Sequence, residues 1–110
     1  GELKAKGNEL FRKENYADAV EAYTMALDAD QSDFSVFSNR SAARLKLGLN
    51  GLALADAITC TKLAPTWAKG YFRLGSALGA LDRHAEAYEA LLKAHSLAPD
   101  DASIKASLEA

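Results

Sequence analysis

TWAKGYFRLGSALGALDRHAEAYEALLKAHSLAP, residues 66–99, is one full period of this chain. It holds two apolar-periodic segments, near 68–81 and 85–97, joined by Asp82-Arg83 and closed by Pro99. Pro65 stands 34 residues before Pro99, and Gln31 holds the same place one period earlier. Three further series keep that period, and all their members are small: Ala19, Ala53 and Ala87; Gly7, Ser41 and Gly75; Ala26, Cys60 and Ala94. A fixed period of this length marks a repeat architecture. Two antiparallel helices joined by a short turn approach closely only where side chains are small, so one crossing point recurs per repeat. A single hairpin cannot bury both of its faces, and stacked neighbours do so.

Carried outward, the period predicts first helices near 2–14, 35–47 and 68–81, and second helices near 17–29, 51–63 and 85–97. The turns carry Glu14-Asn15, Gly48-Leu49-Asn50 and Asp82-Arg83. Pro65 and Pro99 sit just past second helices, where proline stops a helix without breaking one. Leu3, Leu10, Phe11, Tyr16, Val20, Tyr23 and Leu27 recur at helical spacing and form the predicted core of the first hairpin. A seventh helix is expected after Asp100-Asp101, with those acids and Ser103 as candidate caps. The reading is therefore all-α: a single domain over 1–110, with repeats of about 1–33, 34–67 and 68–101 and a partial capping helix over 102–110. The abrupt end at Ala110 and the lack of an initiator methionine point to a piece of a longer protein.

Composition narrows the function. Hydrophobic residues make up 49% and charged residues 25%, a globular balance, and no apolar run reaches a membrane span. The single cysteine fits a reducing compartment, cytosolic or nuclear. A net charge of −2 and cations not interleaved with aromatics argue against nucleic acid. Phosphate loops, nucleophile elbows and paired catalytic acids are absent from the sequence, so no enzyme and no cofactor is expected. Cys60 falls in the small-residue series and reads as structural. His84 and His95 lack metal-ligand spacing; His84 falls at a helix start, and His95 near a helix end, where its charge would suit the dipole.

The near-neutral total hides a partition. The predicted first helices, with the turn acid Asp82, hold nine cations against four acids, whereas the second helices hold two against six. If the first helices line one surface, that surface is basic. Lys4 and Asn8 share a helix face, as do Lys69 and Arg73, each pair spaced i, i+4. Asn39 and Arg73 are 34 apart, so they take equivalent places on neighbouring first helices. Asparagine is a mediocre helix former, and two of them facing a groove read as binding groups. Three cations and two amides call for a small anion, such as a peptide C-terminus ending in an acidic residue. Several charge-assisted hydrogen bonds, less the ordering of the peptide, predict affinity of about micromolar.

With Gly, Ala, Ala and Pro at matching offsets, the 34-residue period resembles the tetratricopeptide repeat family over nearly the whole chain. That resemblance implies a right-handed superhelix whose first helices line a concave groove. Repeat 2 departs from the family pattern at Arg44 and Ala57, where bulky apolar residues are usual, and at Leu52, usually polar. The segments 4–8, 38–43 and 67–73 resemble the dicarboxylate-clamp subclass, which holds the C-terminal Glu-Glu-Val-Asp tails of the seventy- and ninety-kilodalton heat-shock chaperones. By that resemblance Lys4, Asn8 and Asn39 hold the terminal carboxylate, and Lys69 and Arg73 hold the aspartate side chain and nearby backbone. Phe11, Ala42, Leu45, Lys46 and Ala80 are candidate secondary contacts. The segments 69–75 and 103–108 are similar to the first repeat domain of chaperone-organising co-chaperones. Implied, then, is a cytoplasmic adaptor domain, monomeric in isolation, that binds chaperone tails. The alternatives are a targeting domain of a larger enzyme (a phosphatase or prolyl isomerase) and a scaffold for another peptide.

Overall fold

In the computed structural model, which describes residues 1–109, the chain forms seven α-helices: α1 (Glu2–Arg12), α2 (Tyr16–Ala29), α3 (Phe34–Lys46), α4 (Asn50–Leu63), α5 (Ala68–Ala80), α6 (His84–Leu97) and α7 (Ala102–Glu109). There is no strand among the described residues. Hairpins α1–α2, α3–α4 and α5–α6 stack in order; α3 touches both α1 and α5, so the three first helices share one side. None of the described helices is long and apolar enough to cross a membrane.

The first helices end one or two residues earlier than the period predicts, and one device stops all three. Glu14, Gly48 and Asp82 take left-handed backbone, with φ of 62°, 77° and 60°. The N–H of Asn15 reaches the carbonyl of Leu10, that of Leu49 reaches Arg44, and that of Arg83 reaches Leu78, each at 2.9 Å. These are the six-to-one bonds of a Schellman cap, which satisfy carbonyls the helix end leaves bare. Only Gly48 adopts that φ without penalty; a side chain there costs roughly 1–2 kcal/mol. Glu14→Gly is therefore expected to raise stability by about 0.5–1 kcal/mol in urea unfolding, after the added chain entropy of glycine is subtracted. An unchanged or lower midpoint would show that Glu14 holds the turn at no cost.

The small-residue series sits where the hairpins cross. A Cβ on Gly7 would lie 2.5 Å from the Tyr23 ring, and one on Gly75 would lie 2.9 Å from Leu91. Repeat 2 makes the same crossing with two small residues. Ala57 stands where the other hairpins carry Tyr23 and Leu91, and Ser41 replaces the glycine. Both are fully buried, and the Ser41 hydroxyl donates to the Ala53 carbonyl at 2.8 Å. The pair in repeat 2 is smaller than its counterparts, Ser41 returning only part of the volume that Ala57 gives up, and α4 still forms in full.

Arg44, the second departure, belongs to a polar network rather than to the groove. Asp56 accepts from Arg40 at 2.7 and 2.9 Å and from Arg44 at 2.9 Å, and Arg40 also donates to the Thr24 hydroxyl at 3.1 Å. Asp56 is only 3% exposed. Two of the nine cations assigned to the basic surface are therefore spent inside the fold, binding α3 to α2 and α4. The partition read from the sequence overstated the charge of the groove for that reason. Leu52, the third departure, is 51% exposed and packs no core.

Aromatic contact fixes the joint between repeats 2 and 3: the Phe34 and Trp67 rings meet edge to face at 5.0 Å. Beyond α6, α7 covers the last hairpin with Ile104, which is 2% exposed. Its cap is Asp101, whose carboxylate accepts from the Ile104 N–H at 3.0 Å; among the described hydrogen bonds the other two candidates, Asp100 and Ser103, cap nothing.

Candidate functional site

Asn8 on α1, Asn39 on α3 and Lys69 and Arg73 on α5 come together in one cleft of about 200 Å³ on the shared side of the first helices. Phe11, Arg12, Tyr23 and Ala42 complete its lining. A hydrogen-bonded pin from α2 orders its floor. The Tyr23 hydroxyl, on a side chain only 1% exposed, donates to Asn8 Oδ1 at 2.6 Å, and Asn39 Nδ2 donates to the same oxygen at 3.0 Å. Both lone pairs of that carbonyl are used, which fixes which end of the Asn8 amide is which. The Asn8 amino group is then left as the half of the side chain without a partner, a donor suited to a carboxylate.

The cations of the cleft lack acids. Arg73 and Lys69 make no ion pair among the described residues, and Arg73 Nε is buried with no hydrogen-bond partner. Burial holds the Arg73 guanidinium below its ordinary range. Its plane lies near the Phe72 ring, 5.7 Å from the centroid. Burial pushes the Tyr23 phenol up, with the charges of Arg12 and Arg73 pulling the other way. An unpaired, partly desolvated cation in the same cleft as a fixed amide has the chemistry to accept an anion.

Lys4 is placed differently from the other four predicted contacts. Its ammonium lies 3.5 Å from the Asp33 carboxylate, and it is absent from the cleft lining. Asp33 itself caps α3 through the Ser35 N–H at 3.1 Å. Burial pushes the Asp33 carboxyl up, but the bonds from Ser35 and Lys4 outweigh it and leave the group below its usual value. Of the secondary contacts, Phe11 and Ala42 line the cleft; Leu45, Lys46 and Ala80 lie outside it, toward the ends of α3 and α5. Sequence reasoning missed Arg12 and the role of Tyr23. Arg12 was legible as the next step of the i, i+4 stripe from Lys4 through Asn8. Nothing in the sequence paired Tyr23 with Asn8.

The remaining reactive side chains stand apart from the cleft. Cys60 is fully buried, and desolvation pushes its thiol up to about 11, which keeps it protonated. His84 opens α6 and is exposed beside Asp82. His95 sits in the last turn of α6, as expected, with Nδ1 buried and unpartnered.

Known proteins share this architecture. The family model described as tetratricopeptide repeat matches residues 68–101. The heat shock protein sti1 homolog of Schizosaccharomyces pombe is 45% identical over 95 residues, which is 84% of this chain and 16% of the relative. The serine/threonine-protein phosphatase T of Trypanosoma brucei brucei is 35% identical over 107 residues, 97% of this chain and 22% of the relative. The chain thus spans less than a quarter of either relative. Among solved structures, the first TPR of Spaghetti (RPAP3), bound to the HSP90 peptide SRMEEVD, superposes with a TM-score of 0.93 at 30% identity, covering 97% of this chain and 85% of that one. The second TPR domain of human RPAP3, in complex with the HSP70 peptide SGPTIEEVD, gives 0.91 at 27% identity and covers 97% and 89%.

Proposed function

This chain belongs to the tetratricopeptide repeat family, and we propose that it is an adaptor domain that captures acidic C-terminal tails of heat-shock chaperones by their carboxylates. The observation that carries the reading is Arg73, which lines the cleft, makes no ion pair among the described residues and buries an Nε without a hydrogen-bond partner. Elsewhere on the first helices, Arg40 and Arg44 are neutralised within the fold, since they share Asp56. At Arg73 the counter-charge is left to the ligand.

In this reading the Asn8 and Asn39 amides donate to the terminal carboxylate, and Lys69 and Arg73 hold the aspartate side chain. Lys4 joins them by leaving Asp33. That pair is long, at 3.5 Å, and about a third exposed on each side, so breaking it costs little. The cleft is lined by cations, amides and a phenol raised by burial, which serves binding rather than catalysis. The likeness to a phosphatase favours a second reading, in which the domain targets a larger enzyme; its peptide chemistry would be the same. A cytoplasmic location and a monomeric state of the isolated domain complete the proposal.

Calorimetric titration with SRMEEVD and SGPTIEEVD, each as free acid and as C-terminal amide, tests it. Free acids are expected to bind at about micromolar, and the amides at least tenfold more weakly, because each charge-assisted bond contributes roughly 1.5–3 kcal/mol. The ratio of the two free acids then ranks the chaperones. Equal binding of acid and amide would replace the clamp with a scaffold that recognises internal peptide.

A further inference from the structure

Lys4, Asn8 and Arg12 lie at i, i+4 and i+8 on one face of α1, and the last two both line the cleft, which therefore spans two rungs of that face. Its rungs are spaced about 6 Å apart, four residues of helical rise. An extended peptide advances about 6.6 Å for every two residues, and residues two apart point their side chains the same way. Stripe and extended ligand therefore keep step. If the terminal carboxylate sits at the Asn8 rung, the next rung meets the residue two places before the terminus. That rung is Arg12.

Arg12 lines the cleft with Lys69 and Arg73, and it has no ion pair among the described residues. Neighbouring Lys13, by contrast, is tied to Glu9 at 3.1 Å and is absent from the lining. No acidic side chain lines the cleft, so three cations face whatever enters it. One terminal residue brings two carboxylates, which in the clamp reading are shared by Lys4, Lys69 and Arg73, so Arg12 is left to meet a further negative charge.

We infer that Arg12 is a specificity-determining residue that selects peptides bearing an acidic side chain two residues before the C-terminus. This rests on the clamp reading given above. Arg12 supplies the upstream end of the recognition, with a planar fork that can hold a carboxylate through two parallel bonds. The alternative is a purely local role, in which the guanidinium complements the C-terminal dipole of α1 and touches no ligand.

A double-mutant cycle separates the two. Titrations pair the unmodified chain and Arg12→Gln with SRMEEVD and with two altered peptides, SRMEQVD and SRMQEVD. Arg12→Gln is expected to weaken SRMEEVD by about tenfold, the low end for a charge-assisted pair. It should leave SRMEQVD nearly unchanged, because the partner charge is already gone. With SRMQEVD the loss of about tenfold should return in full. Arg12 is exposed, so the variant should keep the parent's unfolding midpoint. Equal losses against all three peptides would mean a diffuse field, and no loss would mean a dipole role; either overturns the inference and leaves the clamp standing. Failure of the unmodified chain to distinguish free acid from amide overturns both.

Discussion

Asp56→Ala is expected to destabilise the domain by about 3–5 kcal/mol, the cost of breaking a buried ion pair from one side. That is a large share of the roughly 5–15 kcal/mol that holds a domain of this size. The carboxylate is 3% exposed and satisfies Arg40 and Arg44 together. Their side chains are 13% and 16% exposed, so neither can recover full hydration once the acid is gone. The repeat supplies its own control. One period later, Leu74, Leu78 and Ala90 stand in the places of Arg40, Arg44 and Asp56, and the last two form an apolar cluster with Leu74 packed against it. Arg40→Leu and Arg44→Leu added to Asp56→Ala convert repeat 2 to that pattern and should restore most of the loss. Urea unfolding of the single and triple variants decides the matter. If the single variant loses less than about 1 kcal/mol, the arginines reach water and the network is ornamental to stability.

The same three residues show where sequence stops being informative. The 34-residue period fixes the hairpins because small residues must recur at every crossing, and Gly7, Ser41 and Gly75 do so. Pairing across the hairpin is a different kind of information. Counting by helix put Arg40 and Arg44 on a basic face and Asp56 on an acidic one, whereas they touch. Lys4 was legible as a groove residue from its spacing to Asn8, but its capture by Asp33 depends on the turn between α2 and α3. Tyr23 reads as core, and it is core; that its hydroxyl also pins Asn8 depends on Gly7 leaving room for the ring. Periodicity reports which side of a helix a residue takes. The neighbour it meets there is set by packing.

Arg73→Leu is expected to move binding and stability in opposite directions, which distinguishes a receptor cation from a structural one. Affinity for SRMEEVD should fall by about 10- to 100-fold, since the variant removes a charge-assisted donor of roughly 1.5–3 kcal/mol. Stability should hold or rise by up to about 1–2 kcal/mol, because a buried Nε with no acceptor is replaced by apolar surface of similar reach. The lost approach to the Phe72 ring takes back roughly 0.5–1 kcal/mol of that gain. Arg73→Lys keeps the charge but gives up the planar fork, and should retain only part of the affinity. Asp56→Ala and Arg73→Leu thus form a matched contrast on neighbouring repeats. One arginine pair has its acid inside the protein, and removing that acid destabilises the fold; the other arginine has none, and removing it weakens binding. Calorimetry and thermal unfolding on the same samples report both quantities. A drop in melting temperature together with unchanged peptide affinity would assign Arg73 to the fold and leave the groove without its principal anion receptor. A fixed melting temperature with lost affinity fits only a cation held, at a cost to the folded state, for a ligand to complete.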